Sequence, residues 1–293
     1  MLKIMPYLLV MLLTLTGCFS AAVTEAASLT PAEGAAPQKL TPGDQGGREN
    51  KRVELKLMKT YRGFQAPTAI AVDNQGNLYV SNWSGGSVTR VDTNGNYSTF
   101  VDGLGSPSGL AFDNNGNLYA ADYSKDVIYL LKPDGSKNVF AKGLHTPTGI
   151  SFSRDGSLLV ANRSSNEIVK IDAGGNIELV ASGLSTPVGV VGDISGNLYV
   201  TNYGGSVVTI FVDGSREIFS ADFGRPGVGI DIGQQNEIFA ADNGDDCVRV
   251  IHADGSTEIV ADNIGGCVAV LAYENTLYIG SWTAGAVYQY AIR

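Results

Sequence analysis

The sequence predicts an all-β fold, a six-bladed β-propeller of four-stranded antiparallel blades. Three observations carry this expectation. From Pro67 onward the chain matches itself at a period of 40 residues. Each period holds about four short β-rich runs, separated by turn clusters such as Asp73-Asn-Gln-Gly76 and Thr93-Asn-Gly95. Residues 53–293 have room for about six such periods. Repetition on this scale outranks any local reading of propensity.

Taken in order, the first segment is an address. Residues 1–17 carry one lysine, Lys3, ahead of an apolar run over residues 4–15. This is a signal-peptide layout, too short for a comfortable membrane span. Leu15-Thr16-Gly17-Cys18 resembles the lipobox of bacterial lipoproteins. The resemblance implies lipidation at Cys18, with palmitate among the acyl chains. It also implies a place in the cell envelope, at the outer membrane or cell surface rather than in the cytoplasm. Phe19 is not the aspartate that resembles an inner-membrane retention signal. Residues 18–52 follow as the lipidated cysteine and a tether, rich in Ala, Pro, Thr, Gly and Glu. Such a stretch cannot bury enough apolar surface to fold alone. As a coil of about 34 residues it spans roughly 30 Å.

The repeat itself has two clear lines. The first reads Pro67-Thr-Ala-Ile, Pro107-Ser-Gly-Leu, Pro147-Thr-Gly-Ile and Pro187-Val-Gly-Val. A fifth copy starts near Pro226 with a one-residue slip, and a sixth near Cys267 without proline. The second line reads Asn77-Leu-Tyr-Val-Ser-Asn82 and its copies, down to Thr276-Leu-Tyr-Ile-Gly-Ser281. In the first copy, strands are expected over 69–73, 78–81, 87–92 and 97–101. The sixth copy ends after three strands, and residues 53–60 alternate apolar and polar just ahead of the first. That N-terminal strand should complete the last blade and close the ring over 53–293, leaving no open edge.

The Pro-x-Gly-Ile opening, the Gly-Asn-Leu-Tyr-Val-Ala-Asp-like second strand and the Asp-Gly turn before the fourth resemble the NHL-repeat family of six-bladed propellers. The resemblance covers residues 53–293. It implies a ligand face formed by the loops that lead into strand one and those that link strands two and three. The residues just after each proline or its equivalent are Thr68, Ser108, Thr148, Val188, Val228 and Cys267. Gluconolactonase-like propellers are similar in layout and place Asn and Asp metal ligands at positions of this type. Here those positions are hydroxyl or aliphatic, so neither a metal site nor any other cofactor is expected. Virginiamycin B lyase-like propellers carry a Trp-Phe-Thr-Glu run where this chain reads Tyr79-Val-Ser-Asn82, with no glutamate. The histidine-rich zinc site of peptidyl-amidating lyases cannot be built from His145 and His252 alone. No Gly-x-Ser-x-Gly elbow appears, and no catalytic residue is singled out.

What remains is a recognition surface. With 29 acids, 20 bases and a formal charge of −9, the chain lacks the basic face a nucleic-acid partner needs. The last residue of each second strand, Asn82, Asp122, Asn162, Asn202, Asp242 or Ser281, is expected to bond nearby backbone and shape the following turn. The next position reads Trp83, Tyr123, Arg163, Tyr203, Asn243 and Trp282. A rim of Trp, Tyr and Arg suits a peptide, glycan or protein partner. The same side chains could instead simply seal the blade ends. His145 and Arg225 precede blade openings and are expected on the same face. Cys247 and Cys267 fall in adjacent blades on that face, where export permits a disulfide. Such a bridge, closing a loop of about 20 residues, would contribute roughly 3 kcal/mol. The expected function is a monomeric binding or scaffold module, held to a membrane only through its lipid. The alternative is a periplasmic hydrolase or lyase of the gluconolactonase type with a divergent metal site.

Overall fold

The computed structural model describes residues 52–293; the signal segment, Cys18 and the tether up to residue 51 lie outside them. The described residues form 24 strands in six antiparallel sheets of four, with one 3-10 turn at Arg163–Ser165. Blade one runs Pro67–Val72, Leu78–Asn82, Ser87–Val91 and Tyr97–Val101, in that order outward from the channel. Its second strand is buried at every position. Both of its faces meet neighbouring blades, which is why Leu-Tyr-Val is continuous there instead of alternating. The fourth strand lies at the perimeter and leaves Tyr97 half exposed. Later blades repeat this plan.

The ring closes as the sequence predicts. Leu55–Arg62 pairs antiparallel with Ala286–Ile292 and forms the outermost strand of blade six. The strand sits two residues later than expected, because residues 53 and 54 serve as its lead. Val53 is buried among Phe239, Val250 and Leu277, and the Arg293 N–H donates to the Glu54 carbonyl at 2.9 Å.

The Pro-x-Gly opening has a steric cause. A Cβ on Gly149 would meet the Val188 carbonyl oxygen at 2.6 Å, so the inner strands approach backbone to backbone. Each inner strand also carries an irregularity just past its first residue. In blade one, Pro67 faces Asn82 and Ile70 faces Val80. In blade five, Pro226 faces Asp242 but Ile230 faces Ala240, one residue further on. The slip in the repeat is therefore an enlarged bulge. In blade six Cys267 faces Ser281 and takes the proline slot itself.

Adjacent blades are stapled on one face of the ring. The Leu104, Leu144, Leu184 and Ile264 N–H groups donate to the carbonyls of Gly86, Asp126, Asn166 and Asp246 in the preceding blade. All four acceptor residues have positive φ, a conformation that favours Gly, Asp or Asn. The donor side chains are buried beneath the loops.

The expected Cys247–Cys267 bridge is not formed; both are free, buried thiols. Burial pushes the Cys247 thiol up to about 11 and raises Cys267 well above its ordinary value. The thiolate needed for disulfide exchange is thereby disfavoured at both positions.

Candidate functional site

Two rings of residues build one face of the propeller. The polar residue that ends each second strand is fully buried in all six blades. Asn82 accepts the Gln65 N–H at 3.0 Å, Asn162 that of His145 at 2.6 Å, and Asn202 that of Ser185 at 3.3 Å. Asp122 accepts from Gly105 and Ser106, and Asp242 from Gly224 and Arg225. Ser281 donates to the Gly265 carbonyl at 2.6 Å. The ring thus bonds backbone, as expected, but it shapes the loop leading into strand one of the same blade. In blades five and six it also holds the turn that follows strand two, as expected: Asp242 accepts the Asp245 N–H at 3.3 Å and Ser281 the Ala284 N–H at 3.1 Å.

That lead-in loop then places the rim. The backbone N–H groups of Trp83, Tyr123, Arg163, Tyr203 and Trp282 donate to the carbonyls of Ala66, Ser106, Thr146, Thr186 and Gly266. In blade five the Asn243 side-chain amide donates instead to the Cys267 carbonyl at 3.1 Å. All six predicted rim side chains come together and line one bowl of about 380 Å³. Thr68, Thr148, Val188, Gly227, Val228 and Val268 form its floor. Val268 stands where Cys267 was expected, since Cys267 fills the proline slot. Gly227 and Val228 share one slot because of the blade-five bulge. Ser108 is buried outside the bowl, donating to the Pro147 carbonyl at 2.8 Å. The floor hydroxyls are committed as well: Thr68 donates to Pro107 at 3.1 Å and Thr148 to Ala161 at 3.1 Å.

The rim is continuous from Trp282 round to Tyr203. The Trp282 and Trp83 rings lie 5.9 Å apart, and Trp83 and Tyr123 lie 4.8 Å apart. The Arg163 guanidinium sits 5.8 Å from the Tyr123 ring and 5.6 Å from the Tyr203 ring. Its Nη1 donates to the Tyr123 hydroxyl at 2.8 Å. Arg225 repeats the arrangement from the lead-in loop, 5.2 Å over Tyr203 with Nη1 donating to its hydroxyl at 2.9 Å. Arg225 therefore joins the rim through Tyr203, although it does not line the bowl. His145 does not line it either; its side chain is exposed on the lead-in loop.

The electrostatics are one-sided. No Asp or Glu lines the bowl. Among the described residues, neither Arg163 nor Arg225 pairs with a carboxylate. No group of three or more His, Cys, Asp or Glu among the described residues is placed to hold a metal ion. The mouth offers hydroxyls already bonded to backbone, aliphatic groups and aromatics, which do not fit the oxygen set a hard cation requires.

Thr68 and Val228 also line the central channel, a cavity of about 450 Å³ bounded by the inner strands. Asp231 is its one charged lining residue. Its carboxylate accepts the Ile232 N–H at 2.9 Å and, across the blade junction, the Ala272 N–H at 2.9 Å. Burial pushes its pKa up to about 6, against those two hydrogen bonds. Sequence reading missed Asp231. The signal was present: in the structure's register the other inner strands carry Ala71, Ala111, Ser151, Val191 and Leu271 there.

The fold is shared with proteins of several kinds. A gluconolactonase from Xanthomonas campestris superposes with a TM-score of 0.71, over 80% of this chain and 88% of its own, at 19% identity. A catalytically inactive virginiamycin B lyase from Staphylococcus aureus, solved with quinupristin, gives 0.63 over 77% and 80% at 14% identity. A chain of the nidogen/laminin complex gives 0.64 over 73% and 88% at 20% identity. No family model matches the sequence, and no curated protein matches it. The likeness is one of fold. It joins enzymes to a component of a protein–protein complex, so the site must carry the functional argument.

Proposed function

We propose that this propeller is a binding module that takes a ligand or partner into the bowl at the channel mouth. One observation carries the reading: six rim side chains from six blades converge on a single bowl, with both tryptophans of the chain among them. A mostly apolar concavity with a few placed polar groups is the usual form of a ligand site. Trp, Tyr and Arg are the residues that concentrate binding energy. The hydrolase or lyase reading shares the fold with the gluconolactonase and the lyase, but the bowl supplies no carboxylate or histidine for general acid–base work.

Peptide and glycan arrays probed with the intact protein and with Trp83→Ala/Trp282→Ala test this. The double variant should lose at least tenfold in affinity for any captured ligand while melting cooperatively. Undiminished capture by the double variant refutes the assignment, and turnover of a sugar lactone by the intact protein would favour the enzyme reading. We further propose that Cys18 carries the lipid and residues 19–52 the spacing that hold this bowl near a membrane. Mass spectrometry of the mature N-terminus should show an acylated Cys18; an unmodified start after Ala22 would contradict it.

A further inference from the structure

The donor and acceptor inventory of the bowl narrows its ligand. The floor hydroxyls are already bonded to backbone carbonyls. Each rim tyrosine hydroxyl accepts a hydrogen bond from an arginine, which leaves its own proton free to donate outward. Arg163 and Arg225 each use one N–H on a tyrosine and keep further donors. Asn243 spends one amide N–H on Cys267 and retains a second. The available polar groups are therefore nearly all donors, and the Asn243 carbonyl is the exception. The protein as a whole is acidic, at −9, yet the bowl carries the Arg163 guanidinium and no carboxylate. Stacking on Tyr203 from both arginines, and the hydrogen bonds to tyrosine, hold them in place before any ligand arrives. Opposite them the bowl is apolar: Trp282, Trp83 and Val268.

We infer that the bowl captures the C-terminus of a peptide, with its terminal carboxylate on Arg163 and an apolar last side chain against Trp83 and Trp282. The inference rests on the binding reading above and specifies its ligand. A carboxylate is the acceptor-only group that matches an all-donor arc, and guanidinium forks bind it in charge-assisted pairs. A sugar is a poorer match, because its many hydroxyls need acceptors that this bowl does not present. A volume of about 380 Å³ suits a terminal residue or two and not a folded domain.

The test uses the protein's own reporters. Trp83 and Trp282 are its only tryptophans, so fluorescence excited to the red of tyrosine absorption reads this bowl. The probes are acetyl-alanyl-alanyl-leucine with a free carboxylate, the same peptide as its C-terminal amide, and a hexuronate disaccharide. The free acid should give a saturable change and bind at least tenfold more tightly than the amide. Arg163→Gln should weaken the acid about tenfold and the amide far less, while a cooperative melt shows that the bowl is intact. Equal affinity for acid and amide overturns the inference while leaving a binding bowl in place. Tighter binding of the hexuronate overturns the peptide assignment. Silence from all three probes, with a ligand still captured on the arrays and lost in the double tryptophan variant, overturns this inference and spares the binding module.

Discussion

Removing residues 53–62 will unfold the whole propeller instead of trimming its edge. The deleted strand is the fourth of blade six, paired with Ala286–Ile292 along its length. Val53 and Leu55 also leave the core shared by blades five and six. In an open array, loss of a terminal strand would fray one end, because each repeat contacts only its neighbours. In a closed ring the lost pairing exposes an edge and breaks the link between the first and last elements of the chain. The cost should match or exceed the total stability of a domain, about 5–15 kcal/mol. Calorimetry and near-ultraviolet dichroism of the truncated protein should therefore show no cooperative transition. A melting curve unchanged from that of the intact protein would disprove closure.

The second large effect is expected at Asp242. Its fully buried carboxylate accepts the Gly224 N–H at 3.0 Å, the Arg225 N–H at 2.8 Å and the Arg249 Nε at 2.9 Å. Burial alone would raise its pKa, but these donors outweigh burial and hold it below the ordinary carboxylate value. Replacing it with alanine takes the acceptor from the Arg249 Nε and from the Gly224, Arg225 and Asp245 N–H groups, leaving Asp245 as the one carboxylate paired with Arg249. The expected loss is about 3–5 kcal/mol, read from the urea midpoint. A depressed pKa contributes stability that is present above the unfolded value and lost as pH falls through the folded one. Asp242→Ala should therefore flatten the acid limb of the stability curve as well as lower it. The same variant releases the loop whose Arg225 donates to the Tyr203 hydroxyl, so affinity at the bowl should also fall. A loss under about 1 kcal/mol would mean that the loop is held by something else.

Much of this architecture was legible because its signals are periodic. The Pro-x-Gly line marks inner strands that touch backbone to backbone, and the Leu-Tyr-Val line marks second strands buried on both faces. Together they locate the blades to within a residue or two at each strand end. The rim was legible for the same reason: six equivalent positions follow six recognisable strands. The harder features depend on where bulges fall and on pairings between blades. Cys267 read as a position just past a proline, but without the proline nothing in the sequence showed that it fills the proline's own slot. The arginine–tyrosine pairs join residues of different blades, Tyr123 with Arg163 and Tyr203 with Arg225, and only the curvature of the ring makes them neighbours. Asp231 hid in an apolar strand whose register the blade-five bulge had shifted. The cysteine bridge was a reasonable expectation from adjacency, but both sulfurs are buried as thiols.

The way the rim is mounted separates what the protein recognises from what keeps it folded. In five of six blades the rim residue is fixed by its own backbone N–H, a bond that any residue except proline can supply. The side chain above that bond is free to vary without disturbing a strand. The mouth therefore behaves as a five-character field written on an invariant frame, with Asn243 part of the frame. Exchanging Trp for Tyr, or Arg for Asn, rewrites the ligand while the blades stay as they are. That makes this face a practical starting point for engineered binders, in which a library over five codons would sample specificity at little risk to the scaffold.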